Sequence, residues 1–170
     1  MGIVHHGTYI SYFEVGRVEY MRRRGLDYHS WTELGIHLPV VEAYVRYRRT
    51  ARFDELLSIE TRLTELARVK VRFDYRLLRV PEGAVATIHQ EDQVVAEGHT
   101  VLACVDQHHI PRRIPPEAEA VLTGPELELA ANGGVERRSR PAAAANGTSH
   151  AEVDGALLVA PSERAAGSNS

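Results

Sequence analysis

The stretch that decides the fold runs from Met1 to Gly25 and reads MGIVHHGTYISYFEVGRVEYMRRRG. Its first part is a histidine-bearing loop with glycines at both ends, and its second part has the spacing of a helix. Six residues recur at steps of three and four and are predicted to share one helix face: Tyr9, Ile10, Phe13, Gly16, Arg17 and Tyr20. Such a helix is about 24 Å long at about 1.5 Å per residue, long enough to cross a small sheet.

Two glycines refine this prediction. Gly25 fits the left-handed position that ends many helices. Gly16 lies in the helix interior, where glycine costs about 1 kcal/mol relative to alanine. We therefore expect Gly16 where strands come close to the helix axis, on a curved sheet, with the N-terminal amides of the helix pointing at the His5-His6 loop.

The rest of the chain alternates between apolar and polar residues with the period of strands. Strands are predicted over residues 41–48, 57–64, 69–77 and 94–105. Residues 84–93 are ambiguous between a short extra strand and an irregular excursion, and their polar end favours the excursion. A long helix followed by strands on short turns predicts an α+β fold with an antiparallel sheet.

The composition changes near residue 127. Residues 1–126 form one predicted domain, and residues 127–170 are predicted to be a disordered low-complexity tail, because so few apolar residues cannot offset the entropy of ordering the chain. Leu157-Leu158-Val159 is the apolar cluster of this tail and leaves a docking peptide open as an alternative.

Composition also bounds the function. A net charge of −3 gives no reason to expect nucleic acid or an anionic membrane as a partner. A single cysteine, Cys104, no apolar run of membrane length and no secretory signal predict a cytoplasmic protein. The nine histidines lack the spacing of a metal site, and the motif of serine hydrolases is missing from the sequence, so neither chemistry is expected. Cys104 is expected to pack inside the protein.

The N-terminal loop and helix resemble the hotdog-fold acyl-CoA thioesterases of the 4-hydroxybenzoyl-CoA thioesterase type. Gly2-Ile3-Val4-His5-His6-Gly7-Thr8-Tyr9 matches the family segment that precedes its central helix, and His6 takes the position of the family histidine. The resemblance covers about residues 1–116, and its further motifs are Leu38-Pro39-Val40-Val41-Glu42-Ala43, Arg68-Val69-Lys70-Val71-Arg72-Phe73-Asp74-Tyr75, Ala96-Glu97-Gly98-His99-Thr100 and Arg112-Arg113-Ile114-Pro115.

One departure concerns the start of the chain. The family's opening strand and its catalytic aspartate precede the matching segment, and the aspartate would fall just before Met1. A start site assigned too late, or a truncated chain, accounts for this most simply; a true loss of the aspartate is the alternative. The chain as given is then expected to be a weak or inactive enzyme with an unprotected sheet edge.

The resemblance implies a hotdog fold, in which a long helix is wrapped by an antiparallel sheet, and a homodimer or homotetramer with its site at the subunit boundary. It implies hydrolysis of an acyl thioester of coenzyme A or of acyl carrier protein, without a cofactor or metal. His6 would be the catalytic residue that orients substrate or assists proton transfer, while backbone amides of the loop polarise the carbonyl. The expected substrate contacts are Val4, His5, Gly7, Thr8, Tyr9 and Tyr12.

Basic residues are the candidates for coenzyme A phosphates, because guanidinium groups bind phosphate well. Arg68, Lys70 and Arg72 form the first row, and Arg46, Arg48 and Arg49 form a second; a solvated strand face is the alternative for both. Glu14 is a possible substitute base on the helix, and a glutamate that faces solvent or a second subunit is the alternative there.

We therefore expect a thioesterase that hydrolyses a small aromatic or short- to medium-chain acyl thioester. A non-catalytic acyl-thioester-binding or assembly module of the same fold is the alternative. A hotdog hydratase is disfavoured, because its histidine signatures are missing from the sequence.

Overall fold

A computed structural model of the chain describes residues 2–26, 28–80, 93–127, 150–153 and 156–159. In chain order the elements are α1 (Thr8–Arg22), α2 (Tyr28–Glu33), β1 (Val40–Tyr47), β2 (Leu57–Leu66), β3 (Lys70–Arg79), β4 (Val94–Ala103), α3 (Pro116–Thr123), β5 (His150–Val153) and β6 (Ala156–Val159). The predicted helix and the four predicted strands are confirmed, with small shifts at their ends. The ambiguous segment at 84–93 lies outside the described residues except for its last residue.

The strands form one antiparallel sheet in the order β1-β4-β3-β2-β6-β5. Its centre is the β2–β3–β4 meander, in which Phe73 pairs with Leu63 on one side and with Thr100 on the other. Alternate residues of β3 are buried under α1, namely Val71, Phe73, Tyr75 and Leu77. These are the residues that the two-residue period assigns to the core.

The helix α1 lies on this face of the sheet through an aromatic stripe. The Phe13 ring stacks on Tyr75 with 4.5 Å between centroids, and the Tyr20 ring meets Phe73 edge-on at 5.3 Å. The predicted helix face is confirmed for most of its members, but Ile10 is 43% exposed and was assigned to it wrongly. The buried face is rotated toward Tyr12 and Met21, because the helix packs mainly on β2.

The two glycine predictions are confirmed. A methyl group on Gly16 would meet the Thr61 hydroxyl and lie 2.9 Å from Ile59 Cδ1, so α1 touches β2 at this turn. Gly25 has φ of 81° and follows the helix end. The Leu26 amide donates to the Met21 carbonyl at 3.0 Å, which closes the helix in the way expected of a glycine stop.

The edge strand β1 departs from the prediction. Its pattern predicts a half-buried strand, but only Val45 is partly covered, and Val41, Tyr44 and Tyr47 are about half exposed. The reason is position: β1 pairs with β4 on one side only, and α1 covers the middle of the sheet. Cys104, in contrast, is fully buried as expected, and burial raises the pKa of its thiol.

The opposite edge of the sheet also differs from the prediction. Residues 150–153 and 156–159 fall in the predicted disordered tail, yet they form a strand pair in which β6 pairs with Leu57, Ser58 and Ile59 of β2. The free backbone groups of an edge strand are a template for any extended segment, and Leu157-Leu158-Val159 is the apolar cluster of the tail. The remainder of the tail lies outside the described residues, so its disorder stays a prediction. No helix in the described part of the chain is long and apolar enough to cross a membrane.

Candidate functional site

The N-terminal loop is tied to the chain between β1 and β2. The Val4 amide donates to the Ala51 carbonyl at 2.9 Å, and Ile3 forms an isolated antiparallel bridge with Arg52. Val4 is buried in the core, so it anchors the loop from within rather than facing a ligand. These contacts hold the start of α1 beside the end of β1.

The first turn of α1 has free amide donors at Tyr9 and Ile10, two residues beyond the predicted contacts Gly7 and Thr8. The Gly7 amide donates to Nδ1 of His5 at 3.1 Å, and the Thr8 amide donates to the His5 carbonyl at 3.0 Å. Both of these predicted substrate contacts are therefore satisfied within the loop. No backbone acceptor among the described residues takes the Tyr9 and Ile10 amides, and no side chain caps the helix. Such amides, at the positive end of a helix dipole, suit an oxyanion.

The two histidines lie at the surface. Their rings are 4.0 Å apart between centroids, and both side chains are exposed. The His6 carbonyl accepts a hydrogen bond of 3.0 Å from the Tyr47 hydroxyl, which connects the loop to the exposed strand β1. His6 lines neither the cavity beside α1 nor the one on the outer face of the sheet.

Two predicted substrate contacts, Tyr9 and Tyr12, are buried behind the loop. Tyr9 is buried and its hydroxyl accepts a hydrogen bond of 3.4 Å from the Ala51 amide; burial raises its pKa. Tyr12 is buried too, its hydroxyl has no partner among the described residues, and burial with the nearby Tyr9 raises its pKa to about 12. Both rings belong to the hydrophobic core, as Val4 does, so these two predicted substrate contacts support the loop from within rather than facing a ligand.

Sequence reasoning missed three residues that the fold brings to this place. Tyr47 meets the Tyr9 ring edge-on, with 5.1 Å between centroids. The Arg79 guanidinium donates to the Thr50 carbonyl at 2.8 Å and to Glu55 at 3.1 Å, and Glu55 also accepts from the Arg52 amide. Tyr47, Glu55 and Arg79 come from three separate strands or turns, so no local spacing identifies them. For Tyr47 alone, the apolar–polar alternation of β1 indicated that it shares a face with the other apolar residues of that strand.

The first basic row does not lie at this site. Lys70 begins β3, whereas Arg79 at its other end contacts the loop region, so about 30 Å of strand separates them at about 3.3 Å per residue. Lys70 and Arg72 also alternate with the buried residues and therefore face away from α1, and Arg72 pairs with Asp74 at 2.8 Å. Arg68 is exposed in the turn before β3.

The second basic row lies beside the loop. Arg46 and Arg48 flank Tyr47 at the end of β1, so by the alternation of a strand Arg46 faces away from α1. Arg48 pairs with Glu97, and Arg49 donates to the Val94 carbonyl at 3.1 Å. Arg52 bridges Ile3 in the same region. We call Arg46, Arg48, Arg49 and Arg52 the loop arginines. Glu14, the alternative base, is two turns along α1, with its carboxylate 3.7 Å from the buried Arg17.

Known proteins match most of this chain. A family model described as "Thioesterase-like superfamily" matches residues 1–123. A protein of Aquifex aeolicus is 31% identical over 100 residues, which cover 59% of this chain and 77% of that protein. A Synechocystis protein is 30% identical over 117 residues, which cover 68% of this chain and 65% of that protein. Both carry the name "Putative esterase". An Escherichia coli protein named as the acyl-CoA thioester hydrolase YbgC is 24% identical over 115 residues, or 67% of this chain and 78% of that protein.

Solved structures agree with these relatives. A hypothetical protein from Thermus thermophilus superposes with a TM-score of 0.60 at 37% identity and covers 72% of this chain and 85% of its own. A 4-hydroxybenzoyl-CoA thioesterase, solved with 4-hydroxybenzoyl-CoA, has a TM-score of 0.61 at 20% sequence identity, and the match covers 72% of this chain and 87% of that protein. The second likeness supports the fold alone. By its helix on an antiparallel sheet and its match over residues 1–123, the chain belongs to the thioesterase-like superfamily and has the hotdog fold.

Proposed function

We propose that the protein hydrolyses acyl thioesters of coenzyme A at the N-terminus of α1. The observation that carries this proposal is the pair of open amides at Tyr9 and Ile10, which lie next to His6 in a member of the thioesterase-like superfamily. The name of the Escherichia coli relative, an acyl-CoA thioester hydrolase, supports coenzyme A as the carrier. We further propose a cytoplasmic location, as composition and the single buried cysteine indicate.

The chemistry follows from where charge develops. Attack of water on the thioester carbonyl places negative charge on its oxygen, and preorganised amides stabilise that charge without reorganising. His6 would accept the proton of the attacking water, a role that histidine often has in acid–base catalysis. Collapse of the tetrahedral intermediate breaks the carbon–sulfur bond, and His6 would return the proton to the leaving sulfur, which releases the carboxylic acid and the thiol of coenzyme A. A carboxylate upstream of His6, as the family resemblance implies, would strengthen this base.

A second copy of the chain would complete the site. Among the strands that the structure describes, none pairs with the outer edge of β1, and its exposed apolar side chains include Val40, Val41 and Tyr44. Pairing of two β1 strands about a two-fold axis would cover these side chains and place the partner next to the His5-His6 loop, because Tyr47 binds the His6 carbonyl. We therefore propose a homodimer with the site at its boundary, in accord with the exposed position of His6.

The loop arginines are our proposed contacts for the phosphates of coenzyme A. They lie at the same end of the sheet as the open amides, whereas Lys70 and Arg72 lie at the other end. Replacing members of each row in parallel tests this proposal. Replacing Arg46 and Arg52 with alanine is expected to raise KM several-fold with little effect on kcat, and the same change at Arg68 and Lys70 is expected to leave KM unchanged.

Release of free thiol from acyl-CoA tests the function directly. We expect turnover that falls about 100-fold in His6→Ala, the lower end of the range for losing an acid–base group. Thr123→Ala, an exposed change on α3 outside the site, is the control. Binding of acyl-CoA without turnover, also in a chain extended at its N-terminus to include an aspartate, would instead establish the non-catalytic binding module.

A further inference from the structure

Two faces, one of α1 and one of β1, flank the space that runs from the open amides along the helix, and we call this space the groove. On the helix side, Ile10 and Glu14 are exposed and one turn apart, on a face that continues to Met21. On the sheet side, Tyr47 contacts Tyr9, and the alternation of a strand places Val45 and Ala43 on the same face of β1. Both walls are largely apolar, and both run from the loop toward the start of β1.

Beside the later turns of α1 is a cavity of about 460 Å³. Val18 and Met21 form its helix wall, Leu38 and Pro39 lie opposite, and Leu102 and Trp31 also line it. Its polar lining comprises the exposed Glu14 and Arg22, the buried Arg17, and two histidines, His37 and His109. The volume is within the range of about 300–1,000 Å³ that ligand pockets usually have. A lining in which apolar side chains predominate suits a hydrocarbon.

We infer that this cavity binds the distal part of a straight acyl chain, so that the preferred substrate is a medium- to long-chain acyl thioester rather than a small aromatic one. The inference rests on the proposed function, because it takes the open amides of Tyr9 and Ile10 as the seat of the carbonyl. It assigns Val18, Met21 and Trp31 the task of selecting chain length.

The length of α1 sets the scale of the substrate. Glu14, at the mouth of the cavity, lies six residues beyond Thr8, which is about 9 Å along the helix at about 1.5 Å per residue. A staggered alkyl chain advances about 1.25 Å per bond, since its bonds are about 1.5 Å long. An octanoyl chain therefore reaches the mouth, and decanoyl to tetradecanoyl chains fill the interior. A benzoyl ring would stop in the groove and leave the cavity without its apolar ligand.

The first experiment uses Trp31, the one tryptophan of the sequence, as a reporter. The full chain is titrated with non-hydrolysable dodecyl-CoA thioethers that carry bromine either near the sulfur or near the chain end. We expect the distal bromine to quench Trp31 fluorescence more strongly than the proximal one. Equal quenching, or none while the thioethers bind, overturns the inference; filling of the cavity by a second copy of the chain would give that result.

The second experiment measures kcat/KM for acyl-CoA substrates from butanoyl to tetradecanoyl and for benzoyl-CoA. Beyond octanoyl, each methylene that enters the cavity should raise kcat/KM about fourfold. Val18→Phe, which fills the cavity from an exposed position, should abolish this gain for dodecanoyl-CoA. Thr123→Phe, an exposed change on α3, is the control. Turnover with a flat chain-length profile overturns this inference but not the proposed function, whereas distal quenching without turnover overturns the function but not the binding site.

Discussion

At the scale of single residues, Gly16 is where α1 and β2 are closest. A methyl group there would meet the Thr61 hydroxyl and lie 2.9 Å from Ile59 Cδ1. Overpacking of this kind costs about 1–3 kcal/mol, and the better helix propensity of alanine returns about 1 kcal/mol. We expect Gly16→Ala to lower the free energy of unfolding by about 1 kcal/mol in urea denaturation. Adding Ile59→Val should restore part of the loss; a more stable Gly16→Ala would contradict the close packing.

Glu19 connects helix stability to pH. Its carboxylate binds Arg22 at 2.6 Å and Arg23 at 3.2 Å, and these hydrogen bonds hold its pKa below the ordinary value of 4.5. A group with a lowered folded-state pKa stabilises the protein above its unfolded-state pKa and loses this effect as pH falls through the folded-state value. Glu19→Gln should therefore be less stable than wild type by about 1 kcal/mol at neutral pH.

The pH dependence is the decisive part of the Glu19 measurement. Thermal unfolding of both proteins from neutral pH into the acid range should show the gap in stability shrink as the wild-type carboxylate becomes protonated. A gap that stays constant over that range would mean that packing, rather than the charge of Glu19, stabilises the end of α1.

At the scale of elements, the spacing of apolar residues predicts whether a segment is a helix or a strand better than it predicts which of its side chains are exposed. The helix and four strands follow from patterns contained within each segment, and the buried face of β3 follows from its alternation alone. The exposure of β1 does not, because it depends on β1 lying at the sheet edge, where α1, which packs mainly on β2, covers little of it. The helix face shifted for the same reason: Ile10 has the right spacing, but the sheet lies on the side of Tyr12 and Met21.

The strands β5 and β6 could not be predicted from amino-acid composition, which favours disorder over residues 127–170. Each has four residues in an alanine- and glycine-rich stretch, and β6 gains its order from the unpaired edge of β2. A chain that ends at Leu127 should therefore expose the amides of residues 57–59 that face β6. We expect roughly fivefold faster hydrogen exchange there, equivalent to about 1 kcal/mol per lost hydrogen bond. Amides between β3 and β4 serve as the control, and unchanged exchange at residues 57–59 would show that β6 adds no protection.

At the scale of the whole molecule, the site combines residues far apart in the sequence. The loop and its histidine were predictable from one segment and its resemblance to a family. Tyr47, Glu55 and Arg79 were not, because only the folded sheet brings them to the start of α1. The prediction that Arg68, Lys70 and Arg72 lie at the site failed for the same reason. A strand pattern shows which residues share a face of the sheet, but it does not show which end of the sheet meets the loop.

Association through β1 can be tested by charge. Val41 and Tyr44 are 57% and 49% exposed on this edge strand. Val41→Lys with Tyr44→Lys would place like charges opposite each other in a two-fold pair, which disfavours pairing. We expect light scattering to show a dimer for the wild type and a monomer for this variant. Ile110→Lys, an equally exposed change outside β1, should remain dimeric; a wild-type monomer would contradict the proposed assembly.

The hydrogen bond from the Tyr47 hydroxyl to the His6 carbonyl couples association at β1 to the start of α1, so that activity should depend on protein concentration. Any neighbour that straightens or twists β1 also moves the backbone from which the first turn of α1 begins. Specific activity should accordingly fall on dilution, and Tyr47→Phe, which severs this connection, should blunt the response while leaving association intact.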